Sequence, residues 1–212
     1  MKYLILSSFF VIIFSACGLS FHSNLRTEEC RFLNKNEVNT IFNDGFVKAL
    51  FKTNAHVYGK DFGGLIFIKL MPDNSYRINF ITEFGMKIFD FEFKNEKFKV
   101  YSCLEQINKK IIINTLEKDF RLLLTNQLTK KKVKILKEKK SNTKVLKVKE
   151  GKFKNYYFLD STNVNFNKIE SCKNLFKKVT VDLKEYKQGF PKTINFTHKN
   201  IDLDIRLNKI EQ

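Results

Sequence analysis

Apolar and polar side chains alternate along several short stretches of this chain, and this period of two residues constrains the fold more than any other feature. The alternation runs over residues 76–81 and returns over residues 86–93 after a turn. A β-strand with one buried face has such a period, because successive side chains point to opposite sides of the strand. Residues 76–101 therefore predict an antiparallel meander with one apolar face that is rich in phenylalanine.

Other stretches predict further strands and a change of period. Strand-like runs fall between residues 133 and 160, and two clear strands occupy residues 193–197 and 201–207. Over residues 107–124 the apolar positions follow helical spacing, which predicts an amphipathic helix. The spacing over residues 36–51 permits a second helix, although Asn-Asp-Gly interrupts it. We predict a mainly β (α+β) fold of about nine to ten antiparallel strands with one or two helices.

Three glycines, Gly59, Gly63 and Gly64, lie inside the strand-like residues 55–70. Glycines within a strand suggest a bulge or a strong bend. We therefore expect the chain to bend strongly within this stretch.

The first seventeen residues carry a separate signal. Lys2 precedes an apolar run at residues 4–14, and Ser15, Ala16 and Cys17 follow it. This layout is typical of a secretory signal peptide, and the run is shorter than the roughly 20 apolar residues of a membrane-spanning helix. The tetrapeptide that ends at Cys17 resembles the lipobox of bacterial lipoproteins, which implies that Cys17 is acylated and becomes the new N-terminus. A plain signal peptide that is cleaved nearby is the alternative.

These features predict three segments: a signal peptide at 1–16, a lipidated cysteine and tether at 17–34, and one domain at 35–212. Two or three acyl chains attach a protein stably to a bilayer, so a membrane-spanning helix is not needed. Gly18, and not Asp, follows the cysteine. By resemblance to lipoproteins of enteric bacteria, this implies the periplasmic face of the outer membrane.

The formal net charge of +17 would indicate nucleic acid as a partner of a cytoplasmic protein. Export excludes that partner, and the basic residues are spread along the chain. The densest run, residues 130–140, is interpreted as a hairpin or a solvated loop, with anionic lipid headgroups as the alternative contact.

Three cysteines remain after Cys17 is assigned to lipid. The predicted compartment is oxidising and allows one disulfide among Cys30, Cys103 and Cys172. A Cys103–Cys172 bond is favoured slightly, because both residues lie within the predicted domain, and free buried thiols are an equal alternative.

Residues with catalytic or metal-binding chemistry are few. His22, His56 and His198 are the only histidines, and no zinc, P-loop or nucleophile-elbow motif surrounds them or the glycines. Asp90 and Glu92 share a strand face, which is more typical of a solvated surface than of a carboxylate pair. We therefore predict a protein that is not an enzyme, with no catalytic residue, metal or cofactor.

Two stretches resemble outer-membrane lipoproteins of the LolA/LolB-like fold. In residues 76–85 a Tyr-Arg strand leads into a short loop in which Phe84 precedes Gly85, and in residues 190–207 Pro191 precedes two strands. The resemblance implies an antiparallel half-open β-barrel that is covered by helices. It also implies that Phe84, with Gly85, forms a membrane-probing loop. An ordinary loop aromatic that packs onto the sheet is the alternative.

The resemblance further implies a function without chemistry. The concave face would bind a lipidated or otherwise apolar cargo, received from a periplasmic carrier protein, and help to deliver it to the outer membrane. Apolar residues of the strands are the candidates for this ligand face: Phe67, Ile78, Phe80, Phe89, Phe91, Phe93, Leu203 and Ile205. A solid core made of the same residues, in a lipoprotein scaffold that binds a protein partner, is the alternative.

Overall fold

The computed structural model describes residues 23–34, 37–42, 45–141, 143–174 and 176–211. The predicted signal peptide at residues 1–16, the predicted lipid attachment site Cys17 and His22 lie outside the described residues.

Six strands come first in the described part of the chain. In chain order they are Leu25–Phe32 (β1), Lys48–Val57 (β2), Lys60–Leu70 (β3), Tyr76–Ile81 (β4), Lys87–Lys94 (β5) and Lys97–Cys103 (β6).

An α-helix, Lys110–Leu123 (α1), follows β6 and confirms the helix predicted from the apolar spacing. No helix in the described part of the chain is both long enough and apolar enough to cross a membrane. The strands after α1 are Lys132–Glu138 (β7), Lys144–Glu150 (β8), Phe153–Leu159 (β9), Phe166–Lys173 (β10), Phe176–Lys187 (β11), Phe190–His198 (β12) and Leu203–Lys209 (β13).

The thirteen strands of the described residues form one antiparallel sheet in the order β1-β7-β8-β9-β10-β11-β12-β13-β2-β3-β4-β5-β6. Consecutive hairpins build most of it, and the pairing of β13 with β2 joins the two runs. Because β1 and β6 are the two edges, the sheet is open. The predicted mainly β, antiparallel, open architecture with a covering helix is confirmed, and the strands are more numerous than predicted.

The glycines in the predicted bend have two different structural roles. Tyr58 and Gly59 have positive φ angles of 47° and 74° and form the hairpin turn between β2 and β3. Gly64 lies where the end of β4 crosses close to β3. A Cβ atom there would come within 2.9 Å of Thr82 Cα and still closer to the Ile81 carbonyl oxygen. Only glycine fits at position 64 without a backbone shift.

The helix permitted over residues 36–51 is wrong. The described residues between 37 and 47 form bends, a turn and irregular backbone, and β2 begins at Lys48. Alternate residues of β2 face the core, and the strand is hydrogen-bonded on both sides, so its period of two outweighs the helical spacing. The apolar residues Ile41 and Phe42, both 1% exposed, pack into the core from an irregular segment.

The predicted tether is also wrong from residue 25 onward. Residues Leu25–Phe32 form β1, which pairs with β7 along its length and is therefore part of the domain. Most side chains of β1 are exposed, so the sequence lacks the apolar alternation that reveals the other strands.

Candidate functional site

The apolar face that was predicted to hold a ligand is a packed core. α1 covers it with Ile112, Leu116 and Phe120, and the Phe120 ring centroid lies 5.9 Å from that of Phe89. The void beside this face is about 10 Å³, roughly the space of one water molecule. Seven predicted ligand-face residues are at most 3% exposed here: Ile78, Phe80, Phe89, Phe91, Phe93, Leu203 and Ile205.

Phe67 does not belong to this face, so its predicted place there is wrong. Its neighbours Ile66 and Ile68 are buried in the core, and the alternation of β3 turns Phe67 to the opposite face of the sheet. The register confirms this placement, because Ile66, and not Phe67, lies opposite Phe80 of β4.

A cleft of about 1010 Å³ opens at a different place on the α1 side of the sheet, between α1 and strands β8 to β12. Its size is at the upper end of the range for small-molecule sites. Buried apolar side chains form its deeper wall: Leu122, Leu124, Leu128, Tyr157 and Val179. Exposed polar and charged side chains of α1 and of the strand ends form its mouth.

A chain of polar contacts crosses the floor of this cleft. Ser171 Oγ donates to Asn155 Oδ1 at 2.7 Å, and Asn155 Nδ2 donates to a Glu150 carboxylate oxygen at 2.9 Å. Glu150 also accepts from Lys131 Nζ at 2.7 Å. Burial, with the charge of Glu150, raises the pKa of Tyr157, so its phenol stays protonated. The floor therefore combines satisfied polar groups with apolar surface.

Asp119 and His198 form a buried pair at the wall of the cleft. Both side chains are 2% exposed, and His198 Nε2 lies 3.0 Å from Asp119 Oδ2. His198 Nδ1 donates to the Leu203 carbonyl oxygen at 2.6 Å. Burial alone would lower the pKa of His198, but its hydrogen bonds to Asp119 and Leu203 hold that pKa above its ordinary value. Burial raises the pKa of the Asp119 carboxyl. The pair joins α1 to the β12–β13 connection.

Phe84 lies at the tip of the β4–β5 turn and is 99% exposed. Gly85 has a φ of 81°, and its N–H donates to the Thr82 carbonyl oxygen at 2.9 Å. Thr82 Oγ1 also accepts from the Met86 N–H at 3.0 Å, and Met86 is 53% exposed. The turn is thus fixed by hydrogen bonds while two apolar side chains face solvent, which excludes the alternative of an aromatic packed onto the sheet.

Cys103 and Cys172 are free thiols, so the favoured disulfide is wrong and the alternative of free thiols applies. The two residues belong to β6 and β10, which are not neighbours in the sheet. Burial raises the pKa of Cys103 to about 11 and also raises the pKa of Cys172. Cys30 on β1 is free and exposed.

The remaining ionisable residues of interest form ion pairs, with His56 partly exposed and Asp90 buried at 5% exposure, so the solvated position expected for Asp90 is wrong. His56 Nδ1 lies 2.7 Å from Asp61. Asp90 accepts from Arg77 and Lys87, and these cations hold its pKa below the ordinary value although burial acts in the opposite direction. Among the described residues, no cluster of histidine, cysteine or acidic side chains has the arrangement of a metal site.

Sequence reasoning missed the cleft. Its signal was weak: a few polar residues at inward positions, such as Asn155 and Ser171 on strands and Asp119 on the apolar side of α1. These residues become recognisable only when the register of β9 and β10 places Asn155 opposite Ser171.

Comparisons with known proteins show a similarity of structure. No protein-family model matches the chain, and no curated protein matches it. Among solved structures, a domain from Vibrio parahaemolyticus that is named for outer membrane lipoprotein sorting superposes with a TM-score of 0.46. The two share 11% sequence identity over 79% of this chain and 85% of that one.

Proposed function

We propose that this protein is a lipid-anchored lipoprotein that binds a lipidated or otherwise apolar cargo and helps to deliver it to the outer membrane. The observation that carries the proposal is the cleft of about 1010 Å³ beneath α1, with its apolar inner wall. The cargo site is this cleft, because the face predicted from the sequence is filled by α1. Such transfer exchanges one apolar environment for another and needs no catalytic group.

The geometry at the N-terminus supports an anchor that holds the domain close to the bilayer. The Lys139 N–H donates to the Asn24 carbonyl oxygen at 2.9 Å, which fixes residue 24 beside the β7–β8 turn. Asn24 is seven positions after Cys17. A fully extended chain of this length spans about 25 Å. Acylation of Cys17 would therefore hold residue 24, and with it the domain, within about 25 Å of the bilayer on the periplasmic side of the outer membrane.

A reporter of cargo binding can be introduced cleanly, because the chain has no tryptophan. Ile111 lines the mouth of the cleft and is 54% exposed. An Ile111→Trp variant should show a saturable blue shift of its emission when palmitoyl lysophospholipid is added below its micellar concentration. A Lys184→Trp variant, exposed on β11 and away from the cleft, is the control. An equal response of the two variants, or no response of the Ile111→Trp variant, would contradict a cargo site in the cleft.

The exposed Phe84 supplies the membrane contact in this proposal. Phe84→Glu should slow release of bound lysophospholipid into liposomes and leave the free energy of unfolding unchanged, because a fully exposed side chain adds little to stability. Phe84→Leu, which keeps an apolar tip, should restore release. If Phe84→Glu released the lipid at an unchanged rate, the β4–β5 turn would have no role in release.

The second candidate function is a scaffold that binds a protein partner. The packed core under α1 favours it, as does the open edge at β6, where Val100 and Tyr101 are 37% and 47% exposed. An edge strand can accept an additional strand from another protein. Proline substitution of an edge residue such as Val100 would abolish partner capture in this case and leave lysophospholipid binding intact.

A further inference from the structure

The charged side chains that line the cleft are unbalanced. Its walls carry seven basic residues against three acidic ones. The acidic residues are Glu96, Asp119 and Glu150, and the basic residues are Lys110, Lys118, Arg121, Lys131, Lys149, Lys173 and Lys178.

All three acidic groups already have cationic partners. Lys131 Nζ lies 2.7 Å from Glu150 and 3.8 Å from Glu96. Asp119 is paired with His198 in the buried wall. Arg121 is held at 3.0 Å by Glu117, which lies one turn earlier on α1. The acids that line the cleft are therefore paired with Lys131 and His198, and their ion pairs use none of the other lysines.

Five lysines of the cleft remain without an ion-pair partner among the described residues: Lys110, Lys118, Lys149, Lys173 and Lys178. They come from both sides of the opening, since Lys118 is on α1 and Lys173 is at the end of β10. The Lys118 ammonium lies 4.7 Å from the centre of the Phe153 ring, which places it over the strand side of the cleft. Like charges gathered around one opening repel one another, and an anion between them relieves that repulsion.

We infer that the cargo is an anionic amphiphile, with a phosphate or carboxylate head at the lysines and a hydrocarbon chain against the inner wall. This inference rests on the proposed function and names its ligand class. The lysines at the mouth are exposed or half-buried, whereas Leu122 and Val179 of the inner wall are 4% exposed each. The order from charged mouth to apolar interior matches a molecule with one anionic end. Lysine suits such a head, because its ammonium acts as a point charge and imposes no fixed geometry.

The test compares ligands that share a palmitoyl chain and differ in charge. Lysophosphatidylglycerol is anionic and lysophosphatidylcholine is zwitterionic, and both are titrated onto the full chain as monomers. We expect the anionic ligand to bind about tenfold more tightly, as two partly exposed charge contacts would give. This preference should shrink as salt is raised, because salt screens exposed charges. Glycerol phosphate, the head without a chain, should bind far more weakly than either lipid.

The deciding variant is Lys118→Gln with Lys173→Gln, which removes one cation from each side of the mouth. It should lower affinity for lysophosphatidylglycerol about tenfold and leave lysophosphatidylcholine binding unchanged. Lys52→Gln with Lys69→Gln removes the same charge from exposed positions on β2 and β3 and is the control. Because all four side chains are exposed, both variants should fold, which circular dichroism checks.

Each outcome separates the inference from the proposed function. If neither lipid binds the unchanged protein, the proposed function fails. If both lipids bind equally well, the cleft takes apolar cargo but the anionic class is wrong. If the control pair weakens anionic binding as much as the cleft pair does, the effect is one of net charge, and the inference is overturned. Binding of glycerol phosphate as tightly as the lipid would also overturn it.

Discussion

Two halves of the same sheet meet α1 in opposite ways. On β2 to β6, here called the filled half, aromatic side chains from the strands and from α1 leave a void of only about 10 Å³. On β8 to β11, here called the open half, α1 stands away from the strands and leaves the cleft of about 1010 Å³. The two faces of one amphipathic helix account for the difference. Ile112, Leu116 and Phe120 pack onto the filled half, whereas Thr115 and Lys118 border the cleft. A helix can therefore complete a core on one side and form a binding wall on the other.

The strongest test of this comparison truncates one ring in each half. Phe120 is fully buried in the filled half, and its ring lies 6.4 Å from that of Phe93 and 6.3 Å from that of Phe196. Phe120→Ala should lower the free energy of unfolding by about 3–5 kcal/mol, because the packed surroundings cannot close the cavity. Phe153→Ala, at the border of the cleft, should lower the free energy of unfolding by well under half of that amount. Urea denaturation measures the free energy of unfolding of both variants. Equal losses would show that the two halves are packed equally tightly against α1.

A second prediction concerns the backbone of the filled half. Gly64→Ala should destabilise the protein by about 1–3 kcal/mol, since the added methyl group would collide with the Ile81 and Thr82 backbone and force β4 away from β3. The adjacent Gly63→Ala is the matched control, because a Cβ there would meet only the Asn54 side chain at 3.8 Å. Similar losses for the two variants would show that the close approach of β4 does not set the cost.

The filled half could be predicted from the sequence in more detail than the open half, where the strand-like runs between residues 133 and 160 predicted strands but not their facing residues. The alternation in β4, β5 and β13 and the helical spacing of α1 are strong signals, because each segment has one apolar face that must be buried. Strands β9 and β10 lack such a signal. In β9 the side chains of Tyr156, Tyr157 and Phe158 are all buried, so both faces are apolar and no alternation is visible.

The cleft was missed for a related reason. An apolar face has the same sequence pattern whether a helix or a ligand covers it. Only the distance between α1 and each strand determines whether the space is filled or open. The predicted ligand face was placed where phenylalanine is densest, and these large rings are what fills that space. The site instead lies where inward residues are small or polar, as Ser171 and Asn155 are.

The buried pair of Asp119 and His198, at the wall of the cleft, should make the free energy of unfolding depend on pH. His198 keeps its proton more strongly in the folded than in the unfolded protein, because Asp119 and the Leu203 carbonyl outweigh burial and raise its pKa above the ordinary 6.5. Its contribution is therefore complete below about pH 6.5 and is lost as pH rises through the folded-state pKa. The slope is at most about 1.4 kcal/mol per pH unit for one proton.

The pH effect can be isolated by working in a His56→Gln background, since Asp61 also raises the pKa of His56. In that background Asp119→Asn should flatten the fall in unfolding free energy between pH 6 and pH 9, because the carboxylate that holds the His198 proton is gone. Urea unfolding at several pH values measures the slope. The same slope with and without Asp119 would assign the pH dependence to other groups.

The smallest effect is expected for Asn155→Ala on the cleft floor. Asn155 is 2% exposed, donates to Glu150 and accepts from Ser171, so its loss in a dry core would leave two polar groups without partners. Such a loss costs about 1–3 kcal/mol in a sealed interior. Both partners line the cleft, however, and water that enters it can replace the amide contacts. Urea denaturation should therefore show a loss of about 1 kcal/mol or less. A loss near 3 kcal/mol would mean that water does not reach the floor, and the open half would then be a closed core like its neighbour.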